Sequence, residues 1–592
     1  MVPIPVFLLV LPILGIALAA SLALARDRVR PGIGLFVILV SAIAPILFFS
    51  RTAPGQSSGR SLWEWTAAGG PVMQAAYQVD DLALIGSAIV TLVTGAALHA
   101  VAAGSASRSL LTALVAIDGI ALVALVSVTD VVAGILVAGT AAMIAVAVAI
   151  FVASEPGAAR LAALLALGVE SFIAAALLLG RFGVATFDLD GVPREAITPG
   201  VLAATVLGAT LLCGLYPFVP WRYEPRAVPP PLASLRGVAL FPIGVAGSVL
   251  ALRLLAASGA PITSLPLPDV PLAWQALLLL LILTLTALAV LFGPREARMR
   301  RALTGASFIV LVAALSFLHL SHVIAILALL TVLYATVASA AVVEEWRVAR
   351  FDVRLGVLWA AIASGAPLAL AGALFGLLAS AVALVLEVMP IPSGARVGVS
   401  TSARVLVVIG PFLTLAGLAT TPDPIVGSLC AVTLVIAGLL ELAHAARGVS
   451  ADAVKPRGRL YATAAALAMT SVFGLIVSLP VTRAAMALFA PTPADWSDLV
   501  MVALAALVIA VTVAVVTLPQ VVGRIRVSAR VLAFLRRLLT ATDPAPALAL
   551  AYRGLEVWSR RTGAASASFE DRAGVWVAML LIALTLLWAA TS

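Results

Sequence analysis

From one end of the chain to the other, runs of Leu, Ala and Val alternate with short breaks that carry arginine, aspartate, proline or glycine. About 20 apolar residues let a helix cross a bilayer, and runs of that length recur throughout. They fall near 4–25, 31–50, 82–104, 109–127, 130–153, 158–180, 198–219, 236–257, 270–292, 302–318 and 320–343, then a longer block at 355–389, then 404–421, 425–446, 458–480, 499–518 and 574–591. A membrane β-barrel would show shorter segments of alternating polarity, and these runs do not alternate. The first run has no basic stretch before it and reads as a retained helix, not a cleaved signal. The pattern predicts an all-α polytopic membrane protein with about 16–18 transmembrane helices.

One polar stretch has a different rhythm. Residues 521–541 place arginines on one helical side and Val, Ile, Leu and Phe on the other, as a helix lying along a membrane surface does. Asp543-Pro544-Ala545-Pro546 breaks it, because proline removes a donor and clashes inside a helix. A second helix is expected from 547 to about 561. Either this broken lateral segment rests on headgroups with its arginines snorkelling, or it braces neighbouring helices or a partner.

Charge sets the expected orientation. Arg26, Arg28 and Arg30 follow the first run, Arg108 the third, Arg160 the fifth, Arg222, Arg226 and Arg236 the seventh, Arg295 to Arg301 the ninth and Arg347 to Arg354 the eleventh. Arginine-rich short loops favour the cytoplasm, which puts the N-terminus outside. Crossing once at 355–389 would place Arg396, Arg404, Arg447, Lys455, Arg457 and Arg459 outside; crossing twice, as a tight pair, returns them to the inside. About 18 crossings are therefore expected, with both termini external and the lateral segment cytoplasmic.

Composition narrows the chemistry. The chain of 592 residues is 63% hydrophobic and 11% charged with a mean hydropathy of +1.17, so lipid is its solvent. The net charge of +9 sits in the short loops and is a topology signal, not a nucleic-acid footprint. Cys213 and Cys430 both lie in apolar runs and imply neither a disulfide framework nor a metal site. No phosphate-cradling loop, metal-ligand spacing or nucleophile triad is present, so no cofactor is expected. The longest stretches between runs, 51–81 and 181–198, are too short to bury a core of their own. Lys455 is the single lysine, so a proton path built on buried lysines is excluded.

Ionisable groups inside the runs are the candidates for chemistry. Asp118 and Glu170 stand mid-run, and a chain of Asp118, Glu170, His322 and Glu441 would make a proton path across the membrane. Glu387, Glu441 and His444 lie near run ends, where polar tips reach the interface. His319 and His322 share a helical face at a junction, where they either exchange a proton or bond backbone carbonyls. Pro217, Pro220, Pro242, Pro367 and Pro411 interrupt apolar runs; broken helices expose backbone at ion pathways, although proline is also simply frequent in membrane helices.

The order of several short motifs resembles one family: the antiporter-like membrane subunits of respiratory complex I, of related membrane-bound hydrogenases and of multisubunit sodium/proton antiporters. Tyr77-Gln-Val-Asp80-Asp81-Leu82 is similar to the family's VDGLS entry, and Thr129-Asp130-Val-Val to its NDLL. Cys213-Gly-Leu-Tyr-Pro217-Phe218-Val219-Pro220-Trp221 resembles KAGLxPFHxWLPDA, with Val228-Pro229-Pro230-Pro231-Leu-Ala-Ser234 in place of APTPVSA. Arg253 stands where LLLR ends a helix; Arg300-Arg301-Ala-Leu303-Thr-Gly-Ala-Ser307 resembles DIKRLLAYSS, and Leu330-Thr-Val-Leu-Tyr334 resembles KALLF. The likeness covers roughly 77–345, and a lateral segment before the last run fits the largest such subunit.

The resemblance implies structural roles for Asp80, Asp130, Pro217, Trp221 and Arg253, and a division into 1–76, an antiporter-like core at 77–345, further helices at 346–518, the lateral segment at 519–573 and a last helix at 574–592. It implies a place beside other membrane and redox subunits in the plasma (inner) membrane of a bacterium or archaeon. The family's proton-carrying residues are absent. Its glutamate falls at Gly139–Thr140, and its lysines and histidines at Leu212, Val219, Pro242, Ile326 and Leu330. Three readings stay open: a structural or coupling subunit that has lost the relay, a proton-conducting subunit using relocated acids such as Asp118 and Glu170, and an independent transporter.

Overall fold

The computed structural model describes residues 4–25, 32–52, 58–66, 72–104, 108–152, 155–189, 191–216, 230–258, 319–341, 346–390, 393–447, 456–489 and 496–517, together with residues 530, 533, 534 and 537. They belong to one compact unit, Met1–Gln275 with Leu315–Leu539. The expected runs at 270–292, 302–318 and 574–591 lie outside the described residues, as does nearly all of the lateral segment; Arg530, Ala533, Phe534 and Arg537 within it are helical and exposed.

Fifteen α-helices are described. The first eight are α1 (Ile4–Leu24), α2 (Gly32–Thr52), α3 (Asp81–Gly104), α4 (Arg108–Ser127), α5 (Val131–Val152), α6 (Glu155–Arg181), α7 (Pro199–Cys213) and α8 (Pro230–Ser258). After the undescribed stretch come α9 (Leu320–Ala341), α10 (Trp346–Ser364), α11 (Pro367–Val388), α12 (Ser393–Gly417), α13 (Pro424–Arg447), α14 (Pro456–Phe489) and α15 (Trp496–Thr517). Ten of them are long and apolar enough to cross a membrane. The all-α polytopic class expected from the pattern is the class of the structure.

Punctuation explains the helix bounds. Proline opens α7, α8, α11, α13 and α14, where its missing N–H is no loss. Thr198 caps α7 through Val201 N–H at 3.4 Å, and Asp423 caps α13 through Ile425 N–H at 2.8 Å. Gly214 ends α7 in the left-handed region at φ 60°, three residues before Pro217, so the break expected at Pro217–Trp221 begins earlier. Pro242 and Pro411, by contrast, sit inside unbroken helices.

Neighbouring helices run antiparallel, as contacts of constant residue sum show: Gly168 with Leu212 and Gly208 with Phe172 join α6 to α7, and Gly376 with Gly410 and Gly372 with Thr414 join α11 to α12. The block at 355–389 is a helical pair. Gly365, at φ 62°, turns the chain between α10 and α11, and Arg350 near the start of α10 meets Glu387 near the end of α11. The pair starts earlier than hydropathy indicated, because Trp346–Arg354 is helical despite its charges.

One element departs from the expected loop at 51–81. β1 (Ser58–Thr66) and β2 (Val72–Val79) form an antiparallel hairpin with an irregularity between Ser61 and Glu64. It lies at the bundle end where α3 and α5 begin: Tyr77 bridges Val128, and Asp130 bridges Asp188. The alternation in SLWEWT and QAAYQV is the strand signal that a reading tuned to twenty-residue runs passes over.

Close packing in the second half rests on small residues. Gly372 and Gly376 stand four apart on α11, and their missing side chains let its backbone approach α12 at Thr414 and Gly410. A Cβ on Gly376 would stand 2.8 Å from Gly410 Cα, so the backbones must separate to admit one. Gly376→Leu is expected to destabilise the detergent-solubilised protein by about 1–3 kcal/mol or more. Gly139→Ala, whose Cβ would meet Val169 at an ordinary 3.7 Å, is expected to leave the thermal midpoint unchanged.

Candidate functional site

Apart from Asp118, the buried charges among the described residues gather at the two ends of the bundle, on helices that differ in each case. At the hairpin end, Asp80 and Asp81 stand where α3 starts. The Asp80 carboxylate caps the helix through Ala83 N–H at 2.6 Å and accepts from Arg253 of α8 at 3.0 Å; Arg253 also donates to Gln78 at 2.8 Å. Asp81 accepts two hydrogen bonds from Arg483 of α14, at 3.0 and 3.1 Å. Two adjacent aspartates thus hold one helix from each half of the chain. Asp80 and Arg253, both expected as structural from the motif resemblance, meet across 173 residues.

Asp130, fully buried beside these pairs, caps α5 through Ala133 N–H at 2.9 Å and accepts from Gln74 N–H of β2 at 3.1 Å. Burial pushes its carboxyl above the ordinary range, and the N–H groups of Ala133, Gln74 and Val132 pull it back. A cavity of about 510 Å³ opens between Gln78, Asp80, Asp81, Thr129, Arg253 and Arg483.

At the opposite end α10 carries the charges. Arg354 donates to Glu441 of α13 at 2.6 Å, and the two side chains are 1% and 2% exposed. One turn earlier on α10, Arg350 reaches both oxygens of Glu387 at 3.1 and 3.2 Å. Arg404 of α12 donates to Ala445 O at 3.4 Å. The Arg354 guanidinium lies 3.5 Å from where a Cβ of Gly410 would stand, so that glycine makes room for the charge. Arg354 and Glu441 correct two expectations: Arg347 to Arg354 are not a surface loop, and Glu441 does not reach the interface. An arginine on a helix 87 residues away satisfies the glutamate inside, which snorkelling arguments drawn from run ends alone do not see.

The other sequence candidates are scattered. Asp118 is 5% exposed on α4, and its Oδ1 has no hydrogen-bond partner among the described residues. Glu170 is exposed on the outward side of α6. His322 Nε2 faces Asp423 Oδ2 at 3.5 Å, and its ring lies 5.6 Å from that of His319. Asp118, Glu170, His322 and Glu441 therefore have four separate environments: an apolar interior, an outer surface, a capping aspartate and a buried arginine. Pro217, Val219 and Trp221 lie outside the described residues.

Of the positions where the resemblance expects proton carriers, Leu212 is buried by packing, Thr140 faces outward, and Val219 lies outside the described residues. Leu212 lies against Gly168 and Gly247, and the Thr140 hydroxyl donates to Leu136 O at 2.9 Å. The end of α7 is held by apolar and weakly polar contacts: Trp359 Nε1 donates to Cys213 Sγ at 3.2 Å, and Tyr216 N–H to Thr331 Oγ1 at 2.8 Å. This contact joins the motifs around 213–221 and 330–334, with the Tyr216 and Tyr334 rings 6.1 Å apart. Among the described residues, no group of three or more His, Cys, Asp or Glu side chains is placed to hold a metal ion.

Sequence reasoning missed Arg350, Arg354 and Arg483 as interior charges. The available signal was Arg350 and Arg354 at helical i, i+4 spacing, directly continuous with an apolar run. Breaking the Arg354–Glu441 pair with Glu441→Gln or Arg354→Met is expected to cost about 3–5 kcal/mol of stability, because one charge stays buried alone. The double variant Arg354→Met/Glu441→Leu is expected to recover most of that loss, and Asp118→Leu to be neutral or stabilising. Thermal unfolding in detergent reads all four.

No protein-family model matches the sequence, and no curated protein matches it. Solved structures do. A chain of the Mrp complex from Dietzia sp. DQ12-45-1b superposes with a TM-score of 0.58 at 17% identity over 100% of this chain, and this chain spans 63% of that one. A chain of the membrane-bound sulfane sulfur reductase, described as an archaeal respiratory membrane complex, superposes with a TM-score of 0.54 at 12% identity, covering 98% of this chain and 99% of that one. The chain has the fold of membrane subunits found in these two multisubunit complexes.

Proposed function

We propose that the chain is a membrane-arm subunit of a complex I-like energy-converting assembly, antiporter-like in fold, that supports and couples neighbouring subunits and carries no lysine–glutamate proton relay. The observation that carries this reading is the state of the interior charges. Arg253, Arg354 and Arg483 are each tied to a carboxylate, and Leu212, where the motif resemblance puts a relay lysine, is a buried apolar residue. Closed ion pairs hold helices in register but offer no free site for a travelling proton. The chain has no catalytic site of its own in this reading; redox chemistry belongs to partner subunits.

A second reading has one observation in its favour. Asp118 Oδ1 is buried without a hydrogen-bond partner among the described residues, and Gly139, where the resemblance expects a glutamate, lies against Val169 next to Glu170. These are the relocated acids that a proton-conducting subunit would use.

The arginines that follow α1, α3 and α5 support an orientation with the β1–β2 hairpin outside the cell and the ends of these helices in the cytoplasm. Cys213 and Cys430 are buried, so an introduced thiol reports cleanly. Ser61→Cys is expected to react with a membrane-impermeant maleimide in intact cells; labelling after lysis alone would reverse the orientation. The functional reading is tested by pulling the tagged protein from its native membrane in mild detergent. Recovery with quinone-, iron–sulfur- or hydrogenase-type subunits is expected. Recovery alone would favour an independent transporter.

A further inference from the structure

Glu170 is the one charged residue between Arg160 and Arg181, ten residues from the first and eleven from the second. At 1.5 Å per residue it stands roughly 15 Å from each, at the middle of a hydrocarbon layer about 30 Å thick. It points away from the bundle: Leu167, Ile173 and Leu177 of α6 share its exposed face, and Leu207 of α7 and Leu136 of α5 extend the apolar surface around it. No described residue hydrogen-bonds or ion-pairs with it.

A carboxylate left facing lipid tails at that depth costs several kcal/mol, so intramembrane acids face a cavity, a bundle interior or a partner charge. Among the described residues no such charge is placed beside it. The apolar runs at 270–292, 302–318 and 574–591 contain no lysine, arginine or histidine. Arg253, Arg354 and Arg483 are committed to Asp80, Glu441 and Asp81. A basic group on another polypeptide would meet that cost.

We propose that the outward face of α6 docks a transmembrane helix of a partner subunit, and that this helix presents a lysine, arginine or histidine to Glu170 at mid-bilayer depth. Leu167, Ile173 and Leu177 supply the packing surface, and Glu170 fixes register and selects the partner, as a single polar group does in a helix interface. The proposal rests on membership of a multisubunit assembly and names one contact within it. Both sources of proton chemistry are then unnecessary for Glu170: it is a recognition charge.

The test places a photo-crosslinking amino acid at Ile173, leaving Glu170 intact, and irradiates native membranes of cells carrying the full chain. Adducts are mapped by mass spectrometry. The expected adduct is a transmembrane peptide of another subunit with a basic residue within one turn of the crosslinked position, and Glu170→Gln is expected to reduce its yield by about tenfold. Leu439, exposed on α13, gives a control site whose adducts do not respond to Glu170→Gln. Adducts with lipid alone, with a second copy of this chain, or with a helix lacking a basic residue overturn the proposal. If partner subunits still co-purify in that case, the docking face is wrong and the assembly reading survives; if nothing co-purifies, both fall.

Discussion

Inside a bilayer a guanidinium or carboxylate has no water to return to, and leaving it alone costs several kcal/mol. That constraint organises this molecule. Each buried arginine among the described residues finds a carboxylate, Arg253 with Asp80, Arg350 with Glu387 and Arg354 with Glu441, and the partly buried Arg483 pairs with Asp81. These are the contacts that apolar side chains cannot specify, because lipid tails are as apolar as leucine and give helices no hydrophobic reason to choose one neighbour over another. The pairs at the start of α3 bind the two halves of the described bundle, and the pair between α10 and α13 fixes the second half at its opposite end.

Glycine works with the charges. The close approach of α11 and α12 through Gly372, Gly376 and Gly410 brings backbones together where dispersion is strongest and leaves the space into which the Arg354 guanidinium fits. A larger residue at 410 would disturb both the helix pair and the ion pair. The architecture is thus held by a few positions where small size or full charge is required, set in a background of Ala, Leu and Val that tolerates exchange.

The helices were legible because a twenty-residue apolar run has one explanation in a chain this hydrophobic. Their bounds were legible where proline or a capping residue marks them, as at Pro199, Pro367 and Asp423. Charged turns inside a helix were not: Arg350 and Arg354 lower local hydropathy as a loop does, and nothing local announces Glu441 as their counterpart. The hairpin at 58–79 escaped because its period is two and its strands are short. Among candidate site residues, Asp80 and Arg253 stand out as motif positions, but their pairing across 173 residues is visible only in the fold; the outward direction of Glu170 likewise depends on how α6 turns against α5 and α7.

The claim that the interior charges serve structure and not transport is tested most directly by proton flux. The purified full-length chain would be reconstituted into sealed liposomes containing a pH-sensitive dye, with a membrane potential imposed by a potassium gradient and an ionophore. The account predicts proton uptake no faster than in protein-free liposomes. Uptake that depends on the protein and disappears in Asp118→Asn would contradict it.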